Sequence, residues 1–276
     1  MSTNAKESIK QGLSKREALA LTRLASQNRT IITVDDIESA LGCSRDTAKK
    51  VASNLAGKKW LDRLKRGTYL IVPLAAGETG EYTEHEYVVA SHLADPMYIS
   101  YWSALNYHGL TEQVPTTVFV ATTSRVPDRE IHDVDYRFVT VTDRKFYGYE
   151  PVSIGSHTVN IASPEKTLVD CSDHPEHCGG ILELAKALGN AENLDRELLV
   201  DHLLKLGNGA AVKRIVYLAD VLDVELPRRN ELEDAFTKGY SKLDPGQGDD
   251  GTYSSEYRLL LNVSNGAIEN TGGDFY

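Results

Sequence analysis

The chain has 276 residues, 41% of them hydrophobic and 25% charged, and a net charge of −10. This is an ordinary globular composition, long enough for two domains of unequal size. It contains nothing near the ~18 consecutive apolar residues of a membrane span, and its polar start, Met1 to Lys10, lacks the apolar core of a secretory signal. Three cysteines, Cys43, Cys171 and Cys178, argue for a reducing cytoplasm and against a disulfide framework. The charge is unevenly spread. Residues 1–72 carry 14 Lys+Arg against 7 Asp+Glu, a net of +7, and the remainder carries 16 against 33, a net of −17. Positive charge gathered at one end of an acidic protein points to a polyanionic partner for that end.

The basic end has the pattern of a winged helix-turn-helix. Ser14 is placed to cap a helix to about Ser26, with Leu13, Ala18, Leu21 and Leu24 on one face. Arg29–Thr33 is β-branched and reads as extended, and Thr33 or Asp35 opens a second helix through Leu41. Gly42 suits the tight bend before a third helix, which Ser44 caps and which runs from Arg45 to about Leu55. Ala48, Val51, Ala52 and Leu55 share the apolar face of that helix. The opposite face carries Arg45, Lys49, Lys50, Ser53 and Asn54, with Thr47 at the flank. Arg pairs with guanine, Asn with adenine, and Ser or Thr with phosphates or base edges, so such a face suits the major groove. Residues 58–72 read as a β-hairpin around the Lys65-Arg66-Gly67 turn, a wing whose basic tip suits backbone or minor-groove contact. The expected DNA contacts are therefore Ser44, Arg45, Thr47, Lys49, Lys50, Asn54, Lys65 and Arg66.

Residues 73–84 have linker composition, and a helix then runs to about Leu93, before Asp95-Pro96. Residues 98–109 read as a short helix capped by Ser100. Strands are expected at 116–122, 134–142, 146–154 and 158–161. Ser163-Pro164 opens a helix, and further helices are expected at 180–188, 195–206, 210–222 and 230–239. A last strand lies near Tyr257–Val263, in a Gly- and Asp-rich tail. There is no internal repeat. The expected fold is α+β: a winged helix-turn-helix over 1–75, then a larger mixed domain over 76–276 with a helical second half and a partly flexible tail from 240.

Tyr98-Ile-Ser-Tyr-Trp-Ser-Ala-Leu-Asn-Tyr-His-Gly-Leu110 and Ile161-Ala-Ser-Pro-Glu-Lys-Thr-Leu-Val-Asp170 resemble signature blocks of the AbiE-type antitoxins. The N-terminal winged helix and its Arg66-Gly67-Thr68-Tyr69 element do so as well. The resemblance runs to about Val263 and implies an autorepressor that binds repeated promoter sequences. It further implies a C-terminal domain that counteracts a nucleotidyltransferase-like toxin, in type IV toxin–antitoxin systems tied to phage abortive infection. The acidic bias and the tail depart from that pattern.

Other constellations read as structural. Cys171, His174, His177 and Cys178 place four potential zinc ligands within eight residues, but at no known finger spacing, so a polar loop without metal is expected. Gly155-Ser156 follows rather than precedes the Asp133/Asp135 pair, the wrong order for a nucleotidyltransferase. His85, His92, His108, His132 and His157 accompany no catalytic motif, and Tyr98, Tyr101, Trp102 and Tyr107 read as core more than docking surface. The expectation is thus a non-enzymatic cytoplasmic antitoxin and repressor without cofactor. Its partners are operator DNA, recruiting two copies per full site, and a toxin whose direct complex is left open. The alternatives are a stand-alone regulator whose acidic body senses a small ligand, and a nuclease-like enzyme with a winged-helix targeting domain.

Overall fold

Ser14 and Glu17 fix the start of the first helix reciprocally. The Ser14 hydroxyl accepts from the Glu17 amide at 3.3 Å, and the Glu17 carboxylate accepts from the Ser14 amide at 2.7 Å. The computed structural model of the chain describes residues 10–76 and 84–272; part of the expected linker, 77–83, lies outside them. By contacts the chain divides into two compact units, Met1–Asp95 with Ser153–Thr158, and Pro96–Val152 with Val159–Tyr276.

In the first unit, α1 (Lys15–Ala25), β1 (Ile31–Thr33), α2 (Val34–Leu41) and α3 (Arg45–Gly57) lead into β2 (Leu61–Lys65), β3 (Thr68–Ile71) and α4 (Glu86–Leu93). A second capping box, Thr33 with Asp36, starts α2. Gly42 ends it at φ +58, a left-handed conformation that costs glycine little. The strands form an antiparallel sheet in the order β1-β3-β2, with Ile31 opposite Leu70 and Leu61 opposite Ile71. This is the winged-helix topology. Ala20, Leu24, Ile32, Ile37, Ala48, Ala52 and Leu55 form one core, so α1, α2 and α3 each bury a single face. Ala18, expected inside α1, is only half-buried; Glu17 and Ala20 occupy the buried positions instead.

The second unit is built on β4 (Met97–Ile99), α5 (Tyr101–Tyr107), β5 (Thr117–Thr122), β6 (Arg129–Ile131), β7 (Val134–Thr140), β8 (Tyr149–Ile154) and β9 (His157–Ala162). The tip of the β8–β9 hairpin is counted with the first unit. The six strands take the order β6-β7-β5-β4-β9-β8, with parallel β5/β7 and β4/β9 pairs. Next come α6 (Pro164–Asp173), α7 (Ile181–Asn190), α8 (Arg196–Leu206), α9 (Gly209–Val221) and α10 (Arg229–Asp234). The α9 helix is buried almost all round, and a Cβ on Gly209 would meet the Thr237 amide nitrogen at 2.6 Å, so backbone packs directly on it. The chain ends in β10 (Ser241–Lys242), β11 (Thr252–Ser254), β12 (Leu259–Leu261) and α11 (Asn265–Glu269). The protein is thus α+β, as expected.

Several expected boundaries shift. The strand expected from Phe146 begins at Tyr149, because a 3-10 turn at Asp143–Lys145 and Gly148 at φ +71 come first. The helix expected to Gly239 stops at Asp234. The tail is more structured than expected. Leu243 and Leu259 are fully buried, Asp244 accepts from the Ile181 amide at 3.1 Å, and β10, β12 and β11 make a small sheet.

Candidate nucleic-acid interface

The α3 helix presents two opposed faces. Ala48, Val51, Ala52 and Leu55 are buried in the first unit's core. Ser44, Arg45, Lys49, Lys50, Ser53 and Asn54 are exposed, with Thr47 half-buried between the faces. The structure therefore brings six of the eight expected contact residues, Ser44, Arg45, Thr47, Lys49, Lys50 and Asn54, onto one helix. Ser44 and Thr47 hydroxyls lie 3.0 Å apart at its start. Ser44 caps by backbone geometry only, without a side-chain hydrogen bond to the helix, which leaves that hydroxyl pair turned outward.

The basic groups differ in how far they are committed. Arg45 pairs with Asp35 of α2, both largely exposed, and Lys49 lies 3.5 Å from Asp46. Among the described residues Lys50 and Arg66 have no ion-pair partner. The two wing residues also differ. Arg66 is exposed in the turn beside Gly67 (φ +80), whereas Lys65 is half-buried and donates to the Leu93 carbonyl at 3.3 Å. Lys65 thus holds the wing to the end of α4 rather than extending from the tip. Lys59 and Arg63 were not among the expected contacts. Both are exposed and unpaired among the described residues, and the only signal for them was their place in the basic hairpin.

The two motif blocks quoted above meet inside the second unit. Ile99 pairs with Ile161 across β4 and β9. From the first block the Ser100 hydroxyl donates to Asp170 at 2.7 Å and the Tyr98 hydroxyl at 3.1 Å. From the second, Lys166 forms an ion pair with the same Asp170, one turn along α6. Lys166 is fully buried, its ammonium 4.5 Å from the centre of the Tyr147 ring. Burial pushes the Tyr98 phenol well above its ordinary pKa. A buried pair with its acceptor this fully engaged fixes core geometry and touches no solvent. Tyr98 and Tyr101 are core, as expected, while Tyr107 is exposed.

The Cys171–Cys178 segment separates by chemistry. Cys171 and Cys178 are buried, and the Cys178 thiol is turned to the Pro175 carbonyl at 3.3 Å. His174 and His177 instead come together with Glu176, their ligand atoms within 4.8 Å of one another.

No helix among the described residues is long and apolar enough to cross a membrane. No curated protein matches the sequence. The fold is similar to the crystal structure of the RV2827C protein from Mycobacterium tuberculosis, with a TM-score of 0.68 over 97% of this chain and 98% of that one. At 17% identity the likeness is one of fold. Residues 20–72, from the middle of α1 to the end of the wing, match the family model described as "Transcriptional regulator, AbiEi antitoxin". That stretch contains the whole of α2, α3 and the hairpin, and it is similar to the domain of the AbiEi antitoxin transcriptional regulators.

Proposed function

We propose that the protein is a cytoplasmic, non-enzymatic antitoxin of the type IV, abortive-infection kind, which represses its own operon by placing α3 in the major groove of operator repeats. The carrying observation is the exposed Arg45, Lys49, Lys50 and Asn54 face opposite a fully packed apolar face. Helix-turn-helix readers present such a face to base edges. Arg66 reaches the backbone or minor groove from the wing, and Lys65 fixes the wing in place. One such unit covers one half-site, so two copies occupy a full operator. The acidic second unit repels DNA and serves the other half of the task, counteracting a nucleotidyltransferase-like toxin with or without a stable complex.

A gel shift on the protein's own promoter tests this reading. Arg45→Ala with Lys49→Ala abolishes the specific complex; unchanged binding would show that α3 is not the reading helix. Rescue of growth when a neighbouring nucleotidyltransferase is expressed tests the antitoxin half. The second reading is a ligand-sensing regulator without a toxin; the groove of about 620 Å³ that favours it, lined by Leu13, Leu21, Trp60 and Ile71, lies in the first unit and not in the acidic body where the sequence placed the sensor. This reading requires a ligand that releases DNA.

A further inference from the structure

We propose that His174, Glu176 and His177 form a three-ligand site for a zinc-class divalent cation, whose open coordination positions face an adjacent pocket. The local chain explains the clustering. The α6 helix ends at Asp173, His174 leaves it at φ −133, and Pro175 starts a 3-10 turn through His177. Side chains three apart on such a turn eclipse one another. The two imidazoles accordingly stack, with centroids 5.5 Å apart and planes at 29°. Glu176, between them in sequence, contacts the His174 Nδ1 at 3.0 Å.

The donor set is the His₂Glu set found in zinc sites that keep a position open. The three ligand atoms lie within 4.8 Å of one another. Tetrahedral ligands on zinc stand about 3.4 Å apart, so modest side-chain rotation closes the site. The His177 imidazole makes ring contacts but no hydrogen bond among the described residues. It lines a pocket of about 550 Å³ together with Glu176, Phe119 and Arg137. Tyr101 stands edge-on to both imidazoles, at 5.3 Å from His177 and 6.4 Å from His174. It holds φ +53, a strained value for an aromatic residue, and is itself buried. This backing orients the rings.

Neighbouring charges leave Glu176 available. Asp173 is held by Lys145 at 2.5 Å and by Asn208, and its further contact, 3.5 Å to the His174 Nε2, is long; Asp128 is taken by Arg137 at 2.9 Å. The only charged-group partner of Glu176 among the described residues is His174. A cation replaces that contact and takes both groups as ligands. The two thiols of the segment do not take part, since both are buried and Cys178 is turned to backbone carbonyls.

The test uses the full-length protein stripped with a chelator and titrated with Co²⁺, followed by its visible absorption, and with Zn²⁺ by calorimetry. One equivalent is expected to bind, without thiolate charge-transfer absorption. His177→Ala should weaken binding on the order of 100-fold, more than typical losses outside the ligand shell. Glu176→Gln, at an exposed position that tolerates the change, should weaken it with an unaltered circular dichroism spectrum. Absence of binding, binding unchanged in Glu176→Gln, or cobalt–thiolate absorption from any of Cys43, Cys171 and Cys178 would each overturn the proposal. Operator binding by all variants should be unchanged, which separates this site from the DNA-reading face.

Discussion

Lys58, the residue that closes α3, donates to Glu17 of α1 at 2.6 Å, and the same carboxylate oxygen accepts from the Ser14 amide at 2.7 Å. One buried carboxylate therefore caps the first helix and anchors the far end of the proposed reading helix. The Lys58 charge, counted in the basic end, is used inside the protein.

This arrangement makes the first unit sensitive to acid. The Lys58 hydrogen bond, with the Ser14 contacts, holds the Glu17 carboxyl below the usual carboxylate value against the opposing effect of burial. A depressed folded pKa gives stabilisation that is complete above the unfolded value, ~4.3, and lost as pH falls through the lower folded value. Glu17→Gln should destabilise the unit at pH 7 by about 1–3 kcal/mol, with the deficit shrinking below pH ~4. Urea titration followed by Trp60 fluorescence in a Trp102→Phe background measures it. The background is mild, since the buried Trp102 Nε1 has no hydrogen-bond partner among the described residues. A deficit that persists unchanged at low pH would contradict the assignment.

Reading and backbone contacts on α3 should separate by salt. Arg45→Ala should cost about 1–3 kcal/mol on operator DNA and little on random DNA. Lys50→Ala should weaken both and reduce the magnitude of the log–log salt slope by about 0.9. Because Asp35 competes for the Arg45 guanidinium, Asp35→Asn should tighten operator binding. An exposed pair is worth about 0.2–1 kcal/mol, so the gain is at most severalfold. Fluorescence anisotropy at several salt concentrations distinguishes these outcomes.

The two basic residues of the wing should behave differently. Arg66→Ala should weaken DNA binding with the folded state intact. Lys65→Ala should loosen the wing against α4, lowering stability by about 0.5–1.5 kcal/mol through the lost Leu93 contact. Equal effects of both on DNA affinity at equal stability would show that the wing tip extends both cations.

In the second unit, Lys166→Met should destabilise by about 3–5 kcal/mol, because it leaves Asp170 charged and buried beneath Tyr98 and Ser100. Combining it with Asp170→Leu should recover part of that loss. Thermal unfolding of both variants checks the sign; a single variant as stable as wild type would mean the pair is solvated.

Elements with local causes were legible. The Ser14, Thr33 and Ser163 caps, the Gly42 bend and the apolar face of α3 depend on residues within a turn or two of each other, and each stands where the spacing placed it. The short strands β4, β6, β10 and β11 were missed. Two or three residues carry no periodicity, and the β6–β7 turn uses His132 and Asp133 at φ +51 and +61 instead of a glycine pair.

The amino-acid sequence alone determined an amphipathic third helix with arginine, lysine and asparagine on its polar face, at the one basic end of an acidic chain. It also held two motif blocks about sixty residues apart. Only the tertiary structure decided that those blocks meet on the single carboxylate of Asp170, that Glu176 joins His174 and His177 while the cysteines turn away, and that Lys58 and Lys65 face inward where Lys50 and Arg66 face solvent. The reason is range: helix caps and faces are set by neighbours along the chain. The availability of a charge is set by the acceptor that folding brings beside it.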